Sequence, residues 1–147
     1  MTMPVISAGL AGILLVLQQI LMLSAGSYRA KHRVGVGYDG DPNLERLVRR
    51  HGNLAENAAI FSIALALLEI LGASGMTVLW LAGIFLAARL FHMFSFGSLA
   101  GSHGGEHIKQ GGRVFGLMRA VGAILTALIG LATGGYLALT AWQLMGA

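Results

Sequence analysis

The sequence predicts an all-α integral membrane protein, a bundle of four transmembrane helices. Three observations carry that prediction. First, 56% of the 147 residues are hydrophobic and only 11% are charged, with a mean hydropathy of +0.74. Soluble domains carry roughly 25% charged residues. Second, the charges are segregated. Residues 1–28 and 120–147 contain no Asp, Glu, Lys or Arg, residues 57–88 contain only Glu69, and the other fifteen charges fall in windows 29–56 and 89–119. Third, no short alternating segments appear, and a backbone in lipid must pair its own polar groups, which leaves helices. The length suits one membrane domain over residues 1–147.

Each span follows from its own residues. Span one covers about 5–27. It lacks the positive n-region of a signal peptide and exceeds a typical h-region, so it reads as a retained helix. Span two covers about 54–73, but its helix is predicted to begin earlier. Asp41-Pro42 pairs an N-cap residue with a proline at the first helical position, giving a helix from about Pro42 to Leu71 with a polar first half. Span three covers about 77–97 and span four about 116–141. All four suit a hydrocarbon layer of roughly 30 Å at about 1.5 Å per residue. Many of the 22 glycines lie within the spans, which predicts close helix packing. Residues 98–112 read as a Gly-rich polar loop.

Several function classes drop out. The net charge of +4 reflects basic residues flanking apolar spans, not a nucleic-acid surface. With no cysteine there is no disulfide, protein thiolate or Cys-based metal site. His103 and His107 are four apart, but in a Gly-rich loop without a carboxylate pair they read as solvated, and no metal site is expected. No Ser-His-Asp spacing and no Walker or dinucleotide fingerprint is present.

The residues that invite chemistry lie at the ends of spans two, three and four. Arg46, Arg49, Asn53 and Glu56 are spaced three, four and three apart, which keeps them within about 80° of arc on one helix. Arg50 and Asn57 sit at the edge of that stripe. The plainer reading, charges paired internally and with lipid phosphate, suits the outer Arg46 and Arg50 better than Asn53 and Glu56, which lie deeper. Arg89 and His92, three apart on span three, share a face. A charge at such depth costs about 2.5–3.5 kcal/mol on insertion scales, so it faces the bundle interior or a wet cavity unless it snorkels. His92 has the alternative of a satisfied interior histidine. Arg119 opens span four, where snorkelling is also open to it. Glu69, near the far end of span two, reads as an interfacial carboxylate. Several arginines beside one carboxylate suit a small ligand bearing carboxylates and an amine.

The string ERLVRRHGNLAEN (Glu45–Asn57) resembles the helix-two signature of the membrane-associated proteins in eicosanoid and glutathione metabolism, the MAPEG family. That signature reads E-R-x-x-R-x-x-x-N-x-x-E, and Glu45, Arg46, Arg49, Asn53 and Glu56 match it in order. RVGVGYDGD resembles a connection common in small bacterial members, AARLFHMFSFG resembles the third helix, and Arg119 matches the start of the fourth. The resemblance covers the whole chain. It implies a homotrimer of four-helix protomers, similar to microsomal glutathione transferase, in a bacterial inner membrane. Glutathione would be the co-substrate, bound between subunits near the cytoplasmic face by Arg49, Asn53 and Glu56, with Arg46, Arg50 and Arg29 as outer contacts and Arg89 and His92 from helix three. Arg119 would be catalytic, stabilising the glutathione thiolate for attack on a lipophilic electrophile or hydroperoxide. Several animal members carry tyrosines where this chain has Asn57 and Phe96, so thiolate stabilisation would fall more heavily on Arg119.

Two other function classes remain open: a binding protein without turnover, and a small exporter. The complete helix-two signature and Arg119 favour the enzyme. An exporter would place its essential carboxylate inside an apolar span, where Glu69 is the sole candidate. Topology follows from the basic residues. Arg29, Lys31, Arg33, Arg46, Arg49 and Arg50 flank spans one and two, and Lys109 and Arg113 lie between spans three and four. The N-terminus, the 74–76 turn and the C-terminus carry no Lys or Arg. Reporter fusions should therefore place both long connections in the cytoplasm and both termini outside. A cytoplasmic C-terminus would move the arginine-rich end to the other side of the membrane.

Overall fold

The computed structural model describes residues 3–100 and 112–146. Four helices make up the chain: α1 (Val5–His32), α2 (Pro42–Ile70), α3 (Gly75–Ser95) and α4 (Gly112–Met145). Each is long and apolar enough to cross a membrane, and no strand occurs among the described residues. The helices run up and down, with α1 packed chiefly on α2 and α3 chiefly on α4. The basic end of the bundle gathers the end of α1, the start of α2, the end of α3 and the start of α4.

Helix limits depart from the predicted spans for a physical reason. Hydropathy marks the part of a helix inside lipid, whereas backbone hydrogen bonding continues through polar turns outside it. So α1 continues to His32 through Arg29 and Lys31, and α4 begins at Gly112, ahead of the predicted 116. At 34 residues, α4 is about 51 Å long, well beyond the hydrocarbon thickness. The 98–112 loop and its His103 and His107 fall almost wholly outside the described residues.

The early start of α2 agrees with the sequence. Asp41 Oδ1 accepts from the amides of Asn43 (2.8 Å) and Leu44 (3.3 Å), directly before Pro42. The Tyr28 hydroxyl donates to Asp41 Oδ2 at 2.8 Å and, as the largest influence, holds this carboxyl below its usual value; the two capping amides act in the same direction. A single side chain thus caps α2 and ties it to α1. Arg29 Nη1 donates to the carbonyls of Gly35 (3.3 Å) and Gly37 (2.9 Å), bracing the connection between the same two helices.

At the opposite end, Glu69, expected at the interface, turns into the bundle. It is 6% exposed, and its oxygens accept from Ile6 N (3.1 Å), Ser7 N (2.9 Å) and Ser7 Oγ (2.6 Å). The N-cap of α1 is Pro4, which offers no capping side chain. Free amides at a helix start demand acceptors, and the carboxylate from α2 meets that demand while complementing the positive end of the helix.

The core runs between the helices through Leu10, Leu14, Leu65, Val78 and Phe85, with the rings of Phe61 and Phe85 stacked 3.7 Å apart at 4°. The outward faces remain apolar: Ile13, Leu15, Val16, Leu128 and Leu131 are exposed. This is the inverse of a soluble bundle and fits a lipid solvent. The closest approach joins α3 and α4. A Cβ placed on Gly122 would lie 2.8 Å from His92 N and 2.9 Å from Ala88 O, so only glycine permits this crossing.

Because Glu69 satisfies several donors of α1 at once, Glu69→Ala should lower stability by about 2–3 kcal/mol. Glu69→Gln, which keeps one acceptor oxygen, should cost less. Denaturant unfolding in mixed detergent micelles measures both, and equal losses would show that a neutral acceptor oxygen contributes nothing in place of the carboxylate.

Candidate functional site

The sequence singled out one end of the bundle, and there α3 terminates between two arginines. Arg46, one turn into α2, donates from Nη1 to the carbonyl of Phe96 at 2.6 Å. Arg119, two turns into α4, donates from Nη2 to the carbonyl of Ser95 at 3.2 Å, and its Cζ lies 4.3 Å from the centroid of the Phe96 ring. Cations at a helix C-terminus meet unpaired carbonyls and the negative end of the dipole. These two arginines from different helices therefore fix where α3 stops.

Deeper on α3, Arg89, His92 and Ser95 repeat every third residue, and all three are buried. Arg89 Nη1 donates to Thr126 Oγ1 at 3.0 Å, and that hydroxyl donates to the Gly122 carbonyl at 2.7 Å. Arg89 thus faces the bundle interior and does not snorkel. His92 lies against the Gly122 backbone, with its ring 5.2 Å from Phe96 and tilted by 53°. Ser95 Oγ donates back to the His92 carbonyl at 2.6 Å.

The helix-two stripe divides. Arg46 and Arg50 turn inward, each with its Nε buried. Arg49 and Glu56 turn outward. Arg49 is 61% exposed and donates from Nε to Glu45 Oε1 at 2.8 Å, a pairing within one helix. Glu56 is exposed. Between the two edges, Asn53 Nδ2 donates to the Arg49 carbonyl at 2.8 Å, and Asn57 Nδ2 to the Asn53 carbonyl at 3.1 Å. The sequence reading ranked these residues by depth along the helix, with Arg46 and Arg50 nearer the interface than Asn53 and Glu56. Within one protomer the stripe also divides between inward and outward faces, because an arc of about 80° is wide enough to straddle the border between core and surface. Arg29, bonded to loop carbonyls, makes no contact with the α3 and α4 arginines among the described residues.

The structure thus brings Arg46, Arg89, His92 and Arg119 together and leaves Arg29, Arg49 and Glu56 on other surfaces. Four arginines, Arg46, Arg50, Arg89 and Arg119, each keep a buried Nε with no partner among the described residues. Buried guanidinium donors are costly to leave unpaired, so this end of the bundle is chemically suited to an anion. Beside it, Asn57, Phe61, Phe85, Thr126 and Thr133 line a mostly apolar cavity of about 160 Å³ between α2, α3 and α4. A larger groove of about 440 Å³ lies on the α1–α2 surface, lined by Leu14, Gln18, Ala55, Ala59 and Ser62. At its margin Gln18 Nε2 and His51 Nε2 are 2.7 Å apart.

Sequence reasoning missed Phe96 as an acceptor and a ring platform, Thr126 as the partner of Arg89, and Ser95. One signal was readable. Gly122, Thr126, Gly130 and Gly134 recur every four residues, the spacing of a small-residue face for close packing.

Four apolar helices with arginines drawn inward at one end define an integral membrane bundle. The MAPEG family model matches residues 7–139, and the chain belongs to that family. Its members use glutathione and include transferases and related enzymes as well as non-catalytic proteins. No curated protein matches the chain.

Thr126 holds Arg89 by a buried hydrogen bond that valine cannot make. Thr126→Val should destabilise the protein by about 1–3 kcal/mol, while Thr126→Ser should retain most of the stability. Thermal unfolding in detergent compares the two, and a loss in Thr126→Ser with none in Thr126→Val would assign the effect to packing alone.

Proposed function

We propose that this protein is a membrane-bound glutathione transferase that activates glutathione as a thiolate for attack on lipophilic electrophiles. The observation that carries this reading is the set of buried Nε donors on Arg46, Arg50, Arg89 and Arg119 at one end of the bundle, none with a partner among the described residues. Family membership supplies the substrate those donors would meet.

On this reading Arg49, Asn53 and Glu56 hold the charged ends of the tripeptide, with Arg46, Arg50 and Arg29 further out and Arg89 and His92 contributing from α3. Guanidinium forks grip carboxylates in pairs of hydrogen bonds, and a glutamate accepts from an amine. Arg119 faces the sulfur. A fixed cation favours thiolate over thiol, and a guanidinium stays protonated at any working pH. Arg119 therefore stabilises charge and donates hydrogen bonds, and the thiol proton leaves to water. The sulfur then forms a bond to an electrophilic carbon delivered from the lipid. With a hydroperoxide, the O–O bond breaks instead, two glutathiones are oxidised to the disulfide, and the two oxygens leave as the alcohol and water.

The outward direction of Arg49 and Glu56 supports a site shared between protomers. A carboxylate exposed on a membrane helix needs a partner from outside its own bundle. A homotrimer, with both termini outside and the arginine-rich end at the cytoplasmic side of a bacterial inner membrane, would supply one. A second reading, a family member that binds without turnover, draws on the bonds Arg46 and Arg119 make to the α3 carbonyls, since the fold alone would then retain those arginines.

Calorimetry on the detergent-purified protein should detect glutathione binding, and a generic aryl halide should be conjugated. Arg119→Ala should abolish the ultraviolet absorbance of bound thiolate while glutathione still binds. Arg49→Ala and Glu56→Ala should weaken binding by about 2–5 kcal/mol each where assembly buries the contact. Full turnover by Arg119→Ala together with normal binding by Glu56→Ala would refute the assignment. Native mass spectrometry showing only monomers or dimers would count against shared sites.

A further inference from the structure

Phe96 is the residue on which the arginine-rich end converges. Its carbonyl accepts from Arg46 Nη1 at 2.6 Å, its ring lies 4.3 Å from Arg119 Cζ, and the His92 ring stands 5.2 Å away. The side chain is 8% exposed and follows directly on Ser95, whose carbonyl accepts from Arg119 Nη2 at 3.2 Å. Arg119 is therefore held twice by adjacent residues, through one hydrogen bond and through the face of a buried ring. A ring face carries negative charge density, and it attracts a guanidinium more strongly when water is excluded. The backbone beneath that ring is itself fixed by Arg46 from another helix.

We propose that Phe96 is a positioning residue: its ring face, anchored through Arg46, holds the Arg119 guanidinium where it acts on the sulfur of the bound tripeptide. The inference rests on the glutathione reading above and deepens it. Phe96 contributes no hydrogen bond of its own to the anion, and its effect passes through Arg119. Among the described residues, charged or titratable groups near this point include Arg46 on α2 and Arg89 and His92 on α3. None of them places a guanidinium carbon over the Phe96 ring.

Fluorination tests the ring face at nearly constant shape, because each fluorine drains charge from it. The full-length protein carrying mono-, di- and trifluorinated phenylalanine at position 96 is titrated with pH in the presence of glutathione, following thiolate absorbance. The apparent pKa of the bound thiol should climb stepwise, by about one unit at the trifluorinated ring. Affinity for S-methylglutathione, which has no thiol, should stay within about twofold, since Arg119 acts on the sulfur anion alone. Phe96→Leu should raise the thiol pKa at least as far. A merely structural role would move the unfolding midpoint and leave the pKa series flat. A flat series with a normal wild-type thiolate band overturns this inference and leaves the glutathione reading standing. A wild-type protein without a thiolate band overturns both.

Discussion

The contact of α4 with α3 at Gly122 is the constraint on which the rest of the arginine-rich end depends. Backbone meets backbone there, within 3 Å of where a side chain would begin. That crossing buries His92 and brings Thr126 to Arg89 one turn further along α4. It also sets Arg119, nearly one turn before Gly122, beside the carbonyls that end α3. In lipid, where apolar side chains gain little by leaving their surroundings, such close packing and interhelical hydrogen bonds replace the hydrophobic drive of a soluble core.

Both ends of the bundle meet one requirement with opposite charges. Helix ends expose amides at the start and carbonyls at the finish, and a low-dielectric surrounding makes them costly to leave alone. At the far end a carboxylate from α2 accepts from the first amides of α1. At the basic end, guanidinium groups from α2 and α4 donate to the last carbonyls of α3. In each case the cap comes from another helix, so local helix termination and global packing are one event. Arg46 and Arg119 are thereby fixed in place by the fold itself; on the proposed glutathione reading, this is the preorganisation that charge stabilisation requires.

Arginine suits this double duty because its fork has five donors. One Nη of Arg46 and one of Arg119 go to backbone carbonyls, while each Nε is buried with no partner among the described residues. A lysine would offer a point charge without that division between structural and chemical directions. The same economy appears at Asp41, where one carboxylate caps α2 with one oxygen and receives the Tyr28 hydroxyl on the other.

The four spans, the Asp41-Pro42 start of α2 and the gathering of the basic residues at one end were determined by the sequence alone. They follow from local composition: apolar length sets a span, and a capping residue before proline sets a helix start. The helix-two string was enough to indicate the family. Tertiary structure alone decided which edge of the Arg46–Glu56 stripe turns inward, since a helical wheel fixes relative angles but not the direction of the neighbours. It also decided that Glu69 closes the start of α1 sixty residues away, and that Phe96 lies beneath Arg119. Glutamate at a span end and phenylalanine in an apolar run carry no local mark of such partners. Their roles arise from unpaired groups on other helices, which exist only once those helices are packed.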